Sequence, residues 1–176
     1  MVKLLKFLAY ILFFIFALIY FLPKQSLYYF AEQELQKQQV ILSNEEISEK
    51  TFSLELQHSN ISYQSISSAE VAYIDVQLLF FYNVINLHDI RISSVASTFI
   101  PLNISSVKVK HTLLNPLNIL FRANGEFGEA EGVVHILDRN MSLILKPSPL
   151  MLKEYSSTLR ELNKNEKGEY QYDQTF

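Results

Sequence analysis

Residues Phe7 to Leu22 read FLAYILFFIFALIYFL, a run without a charge, a glycine or a proline. Nothing else in the 176 residues constrains folding as strongly, because a helix that is apolar on every side has no place on a water-facing protein surface. At a rise of about 1.5 Å per residue the run covers about 24 Å, slightly less than the roughly 30 Å hydrocarbon core of a bilayer. Leu4 and Leu5 lengthen it past Lys6, whose stem can carry its charge to the headgroups. Tyr20, Phe21, Tyr28 and Tyr29 supply aromatic rings for the far interface. Phe7, Leu8, Ile11, Phe14, Leu18, Tyr20 and Leu22 are therefore read as membrane-anchor residues.

Lys3, Lys6 and the α-amino group precede the run with no acid among them, whereas Lys24, Glu32, Glu34 and Lys37 follow it. This asymmetry places the N-terminus in the cytoplasm and sends the remainder across the membrane. The run ends in bulky Ile19-Tyr20-Phe21-Leu22-Pro23 rather than small residues, which favours a retained signal anchor over a cleaved signal peptide. Three segments result: 1–24 as cytoplasmic tip and anchor, 25–39 as an amphipathic helix, and 40–176 as a domain outside the cytoplasm.

The domain is long enough to bury one core. Without cysteine it has no disulfides, thiolate metal sites or thiol nucleophile. A net charge of −3 with scattered Lys and Arg leaves no electrostatic footprint for nucleic acid.

Leu27, Phe30, Ala31 and Leu35 recur at helical spacing, a face for lying against the membrane or, the commoner outcome, for covering one end of the domain. From Val40 onward the period becomes two. Phe52, Leu54 and Leu56 alternate with polar residues, as do Val107 and Val109. Such half-apolar runs predict a mainly β fold: a twisted antiparallel sheet, or a curved half-barrel, with a short helix at each end. Hairpin connections are expected at His58-Ser59-Asn60, Ser67-Ser68 and Asp138-Arg139-Asn140. Gly125, Gly128 and Gly132 in NGEFGEAEG predict a turn or bulge; their spacing is not that of a phosphate-binding loop. A C-terminal helix is expected near 150–162, and a final strand over 168–176.

His58, His88, His111 and His135 are far apart, with no HExxH pair, and glycine is too rare for a Gly-x-Ser-x-Gly elbow. The sequence supplies no catalytic residue, metal ligand set or cofactor motif, and predicts a non-enzymatic protein.

The anchor ending in Leu22-Pro23, the amphipathic LYYFAEQEL, the strand meander and the segment NPLNILFRANGEFGEAEGVVHILDRNMSLILKPSP together resemble the type II secretion system protein N family. AsmA-like envelope proteins are similar in layout. The resemblance implies a bitopic bacterial inner-membrane protein with a periplasmic β domain, an accessory part of a secretion apparatus. It departs from longer members of the family in length and in having no tryptophan.

Two functions follow as expectations. The first is scaffolding, with inner-membrane secretion proteins as partners at strand edges. The second is lipid handling, with phospholipid chains on an apolar sheet face. Ala72, Ile74, Val76, Leu78 and Phe80 are the candidate partner or lipid face, being apolar at alternate positions of one strand. An apolar groove open to solvent favours lipid, whereas a closed core with one free edge favours a protein partner.

Overall fold

The computed structural model describes residues 2–79 and 81–176. Helix α1 (Val2–Tyr20) starts earlier than the apolar run and is long and apolar enough to cross a membrane. Its 19 residues cover about 28 Å. Of them only Ile19, near the C-terminal end, is buried against the rest of the chain. Phe7, Leu8, Ile11, Phe14, Leu18 and Tyr20 are exposed, and Leu22 is half-buried beyond the helix.

Pro23 separates α1 from α2 (Lys24–Lys37). The strands follow as β1 (Val40–Ser43), β2 (Glu46–Glu49), β3 (Ser53–Tyr63), β4 (Ile66–Leu78), β5 (Tyr82–Ile92), β6 (Asn103–Thr112), β7 (Asn115–Gly125), β8 (Gly128–His135) and β9 (Asn140–Pro147). Helices α3 (Pro149–Glu154) and α4 (Ser156–Leu159) lead to β10 (Asn163–Lys164) and β11 (Tyr170–Thr175). All strands join one antiparallel, open sheet in the order β1-β3-β4-β5-β6-β7-β8-β9-β11-β10, with β2 also on β3. The mainly β, antiparallel class expected from periodicity is what forms, because nearly every strand meets its sequence neighbour through a short turn.

Helix α2 runs along the β1–β2 edge. Lys24 lies beside Glu49, the Tyr28 hydroxyl donates to Glu45 Oε1 at 2.9 Å, and the chain then turns into β1. A helix in this position blunts an edge that would otherwise recruit foreign strands. The side it uses is not the expected one: Tyr28 packs on the core, while Leu27, Phe30, Ala31 and Leu35 stay exposed. Positions 24 and 28, one helical turn apart, make the polar and aromatic contacts, so the apolar stripe is rotated away.

Two of the expected hairpin turns lie elsewhere. His58-Ser59-Asn60 is no hairpin; it lies inside β3, with pairing to β4 on both sides of it. Ser67-Ser68 belongs to β4, and the turn is made by Gln64 and Ser65, both at positive φ. The expected C-terminal helix is broken at Tyr155 into α3 and α4. Ser148 caps α3, its hydroxyl accepting from Met151 N–H at 3.1 Å. The glycine segment does turn, at Glu126-Phe127, where Gly128 at φ +114° is the residue type that conformation requires.

The core is in two main parts on one face of the sheet, with Val84 buried singly on the other. Leu54, Leu56, Val71, Ile74 and Ile90 form the first, and Phe127, Ala130, Leu145, Met151 and Leu159 the second. Ile104 packs against both. Burying such a side chain contributes about 1.5–3 kcal/mol, so these residues dominate the domain's stability.

Candidate functional site: the open apolar face of the sheet

Strict alternation would bury only even-numbered residues of β4, yet Val71 and Ile74 share one core. The pleat inverts between them. His58, Ala72, Asp89 and Ser105 lie in one line across β3 to β6, and each falls out of the regular pairing. His58 and Asp89 hold φ of 56° and 53°. On one side of the line Ile61, Ala69, Val71 and Ile90 face the core; on the other Leu56, Ile74 and Leu87 do.

The candidate face is divided accordingly. Ile74 is buried and Val76 half-buried on the core face. Leu78 is half-buried at the strand end, paired with Asn83. Ala72 is exposed at the inversion, and Val71 occupies the core position expected of it. Phe80 lies outside the described residues.

Beyond the inversion the register aligns apolar residues from strand to strand. One row runs Leu56, Ile74, Leu87, Val107, Ala123, Ala130, Leu145, Tyr170. The next runs Leu54, Val76, Ile85, Val109, Phe121, Gly132, Leu143, Tyr172. Each crosses eight strands without a charged residue. The two core clusters close the ends of the first row. In the second row only Leu54 is buried; Val76, Val109, Phe121 and Leu143 are half-buried, and Ile85 and Tyr172 are each 38 % exposed. The Phe121 ring lies over Gly132, where a Cβ would collide with it. The result is an apolar stripe partly open to solvent, crossing almost the whole sheet.

The opposite face is mixed over the same strands, with Val84 buried and Leu120 and Ile144 exposed among charged residues. Lys108, Arg122, Glu131 and Ile144 form one row, with Arg122 paired to Glu131 at 3.1 Å. Lys110 lies 5.1 Å from the centre of the Tyr82 ring. With Leu120 and Val133 these residues line an open groove of about 510 Å³.

The histidines do not converge. The His135 ring lies 2.7 Å from Asn118 Oδ1, the His111 ring 3.0 Å from Pro116 O, and His88 stacks loosely against Tyr73. Among the described residues no group of three or more His, Asp or Glu could hold a metal ion.

What the sequence does not reveal is the length of the open row. Its members are spread over eight strands, and only the register, set by turns and by the inversion, brings them together. No protein-family model, curated protein or solved structure matches the chain.

Proposed function

We propose that this chain is a single-pass protein of the bacterial inner membrane, N-terminus cytoplasmic and domain periplasmic, that binds lipid acyl chains on the open face of its sheet and catalyses no reaction. One observation carries this reading: the Leu54–Tyr172 row is apolar throughout and partly solvent-open over its middle. Eight strands at a spacing of about 4.8 Å make a stripe of about 34 Å. That exceeds one leaflet, which is half of a hydrocarbon core of roughly 30 Å. A flexible chain laid along the stripe removes apolar surface from water on both partners, at about 25 cal/mol per Å².

The test is lipid retention by the full chain. Ile85 is exposed enough that Ile85→Asp is tolerated by the fold while placing a charge in the stripe. The wild-type chain purified in mild detergent should retain phospholipid that the variant loses at unchanged melting temperature. Equal lipid content in both would refute the reading.

A second reading, an accessory scaffold of a secretion apparatus, is favoured by one feature. Tyr172 to Thr175 of β11 pair with β9 on one side, and β10 reaches only Tyr170 and Gln171 on the other. Four residues of strand edge are left for a partner's strand to extend. Crosslinks from Asp173 to secretion-system membrane proteins, with lipid content unaffected by Ile85→Asp, would select it.

A further inference from the structure

The turns at one end of the sheet are apolar where turns are ordinarily polar. Phe52 precedes β3, Phe81 precedes β5, Leu113 and Leu114 join β6 to β7, Leu137 lies between β8 and β9, and Phe176 ends the chain after β11. All six are exposed, from 47 % at Phe52 to 98 % at Leu114. Antiparallel pairing puts every one of these turns at the same end. Backbone bonds tie neighbours together: Leu113 N–H donates to Phe81 O at 3.1 Å, and Phe176 N–H to Arg139 O at 2.9 Å. The six residues thus gather as a rim at one end of the sheet, beside Lys50, Asp138 and Arg139 of the same turns.

The apolar helix leaves the domain at that same end. Glu49 is the last residue of β2, pairs with Leu54, and lies 3.5 Å from Lys24 at the start of α2. Ile19 and Lys24 are buried there, at the junction of α1 with the domain. From that point α2 runs along the sheet edge toward the opposite end, where β1 starts against Tyr63. The opposite end turns through polar Gln64-Ser65, and its Glu126-Phe127 turn buries the phenylalanine. Val95 and Phe99 are exposed in the connection between β5 and β6 at that distal end.

We propose that the rim of Phe52, Phe81, Leu113, Leu114, Leu137 and Phe176 is seated in the outer interface of the bilayer that α1 crosses. The strands then stand on the membrane and the open apolar row begins at its surface. The occupant is lipid rather than a protein because the rim is continuous with the exit of the membrane-spanning helix. A short link and a buried junction allow that helix's bilayer no place but beside the rim. The proposal rests on α1 being a retained anchor, and does not require the sheet face to hold acyl chains.

The chain has no cysteine, so single cysteines report position without background. Full-length Leu114→Cys, Leu137→Cys, Phe14→Cys and Val95→Cys, labelled with an environment-sensitive fluorophore, are reconstituted into vesicles of phosphatidylethanolamine and phosphatidylglycerol. Leu114 and Val95 are 98 % and 73 % exposed, so neither substitution disturbs packing. The label at 14 should be quenched by nitroxide-bearing lipid. Labels at 114 and 137 should be quenched the same way, shift their emission to the blue and lose quenching by aqueous iodide, while the label at 95 keeps iodide quenching. Labels at 114 and 137 that behave like 95, with 14 still lipid-quenched, would overturn the rim and leave the anchor intact. Iodide quenching at 14 as well would overturn both.

Discussion

The ammonium of Lys24, only 2 % exposed, lies 3.5 Å from the carboxylate of Glu49 and the same distance from the carbonyl of Leu22. A buried cation is tolerated only with such partners. Here they hold the beginning of α2 to the end of β2, and so fix where α1 leaves the domain. Glu49→Ala strands the ammonium. Because Glu49 is itself 37 % exposed, the loss should be about 1 kcal/mol rather than the several of a fully buried pair. Lys24→Met, which removes the charge as well, should melt closer to wild type. Thermal melts of the full chain in detergent check both, and equal losses would show that the pair does not position the junction.

Gly132 and Phe121 occupy paired positions, and the ring covers the space a side chain would fill. Gly132→Ala forces the ring aside and also presses on Ser142 O at 2.6 Å, so a loss of about 1–3 kcal/mol is expected. Phe121→Ala in the same chain should recover part of it, since the ring yields and the backbone oxygen does not. A double-mutant cycle measures the coupling; a coupling near zero would mean the ring is not over Gly132.

The pleat inversion depends on positive φ at His58 and Asp89. Both residue types tolerate the left-handed region better than β-branched ones do. Asp89→Val should therefore destabilise by about 1–3 kcal/mol although the position is exposed and valine is a good strand former. Asp89→Gly should cost little. The reverse order in chemical denaturation would remove the inversion from the fold.

Much of this was legible in the sequence and some was not. Alternation in Leu54–Leu56 and Val107–Val109 exposes the sheet because each strand buries one face. The inversion is invisible there: a histidine and an aspartate at positive φ resemble turn residues, which is why His58-Ser59-Asn60 reads as a hairpin. The rim is missed for a related reason. Leu113 and Leu114 carry no turn signal, since apolar residues are expected inside a core and not at an exposed turn. The apolar spacing of α2 correctly gives a helix, but spacing alone does not say which neighbour the stripe meets.

Burial of the Tyr28 hydroxyl, and then its hydrogen bond to Glu45, hold its ionisation well above the usual tyrosine range. The unfolded phenol loses its proton near pH 10 while the folded one keeps it. Tyr28 thus adds stability that is complete below about pH 10 and declines as pH rises above it. Tyr28→Phe should melt with a flatter dependence on pH between 9.5 and 11, a window set by the unfolded phenol at about 10. Parallel pH profiles for the two chains would contradict the assignment.

The central claim is that acyl chains lie on the row from Leu54 to Tyr172. Full-length protein in vesicles containing a phospholipid with a photoreactive acyl chain tests it most directly, with adducts mapped by mass spectrometry. Adducts on β5, β6, β7 and β9 around Ile85, Val109, Phe121 and Leu143, lost in Ile85→Asp, are the predicted result. Adducts confined to α1 and the rim turns, identical in the variant, would show that the sheet face holds no lipid.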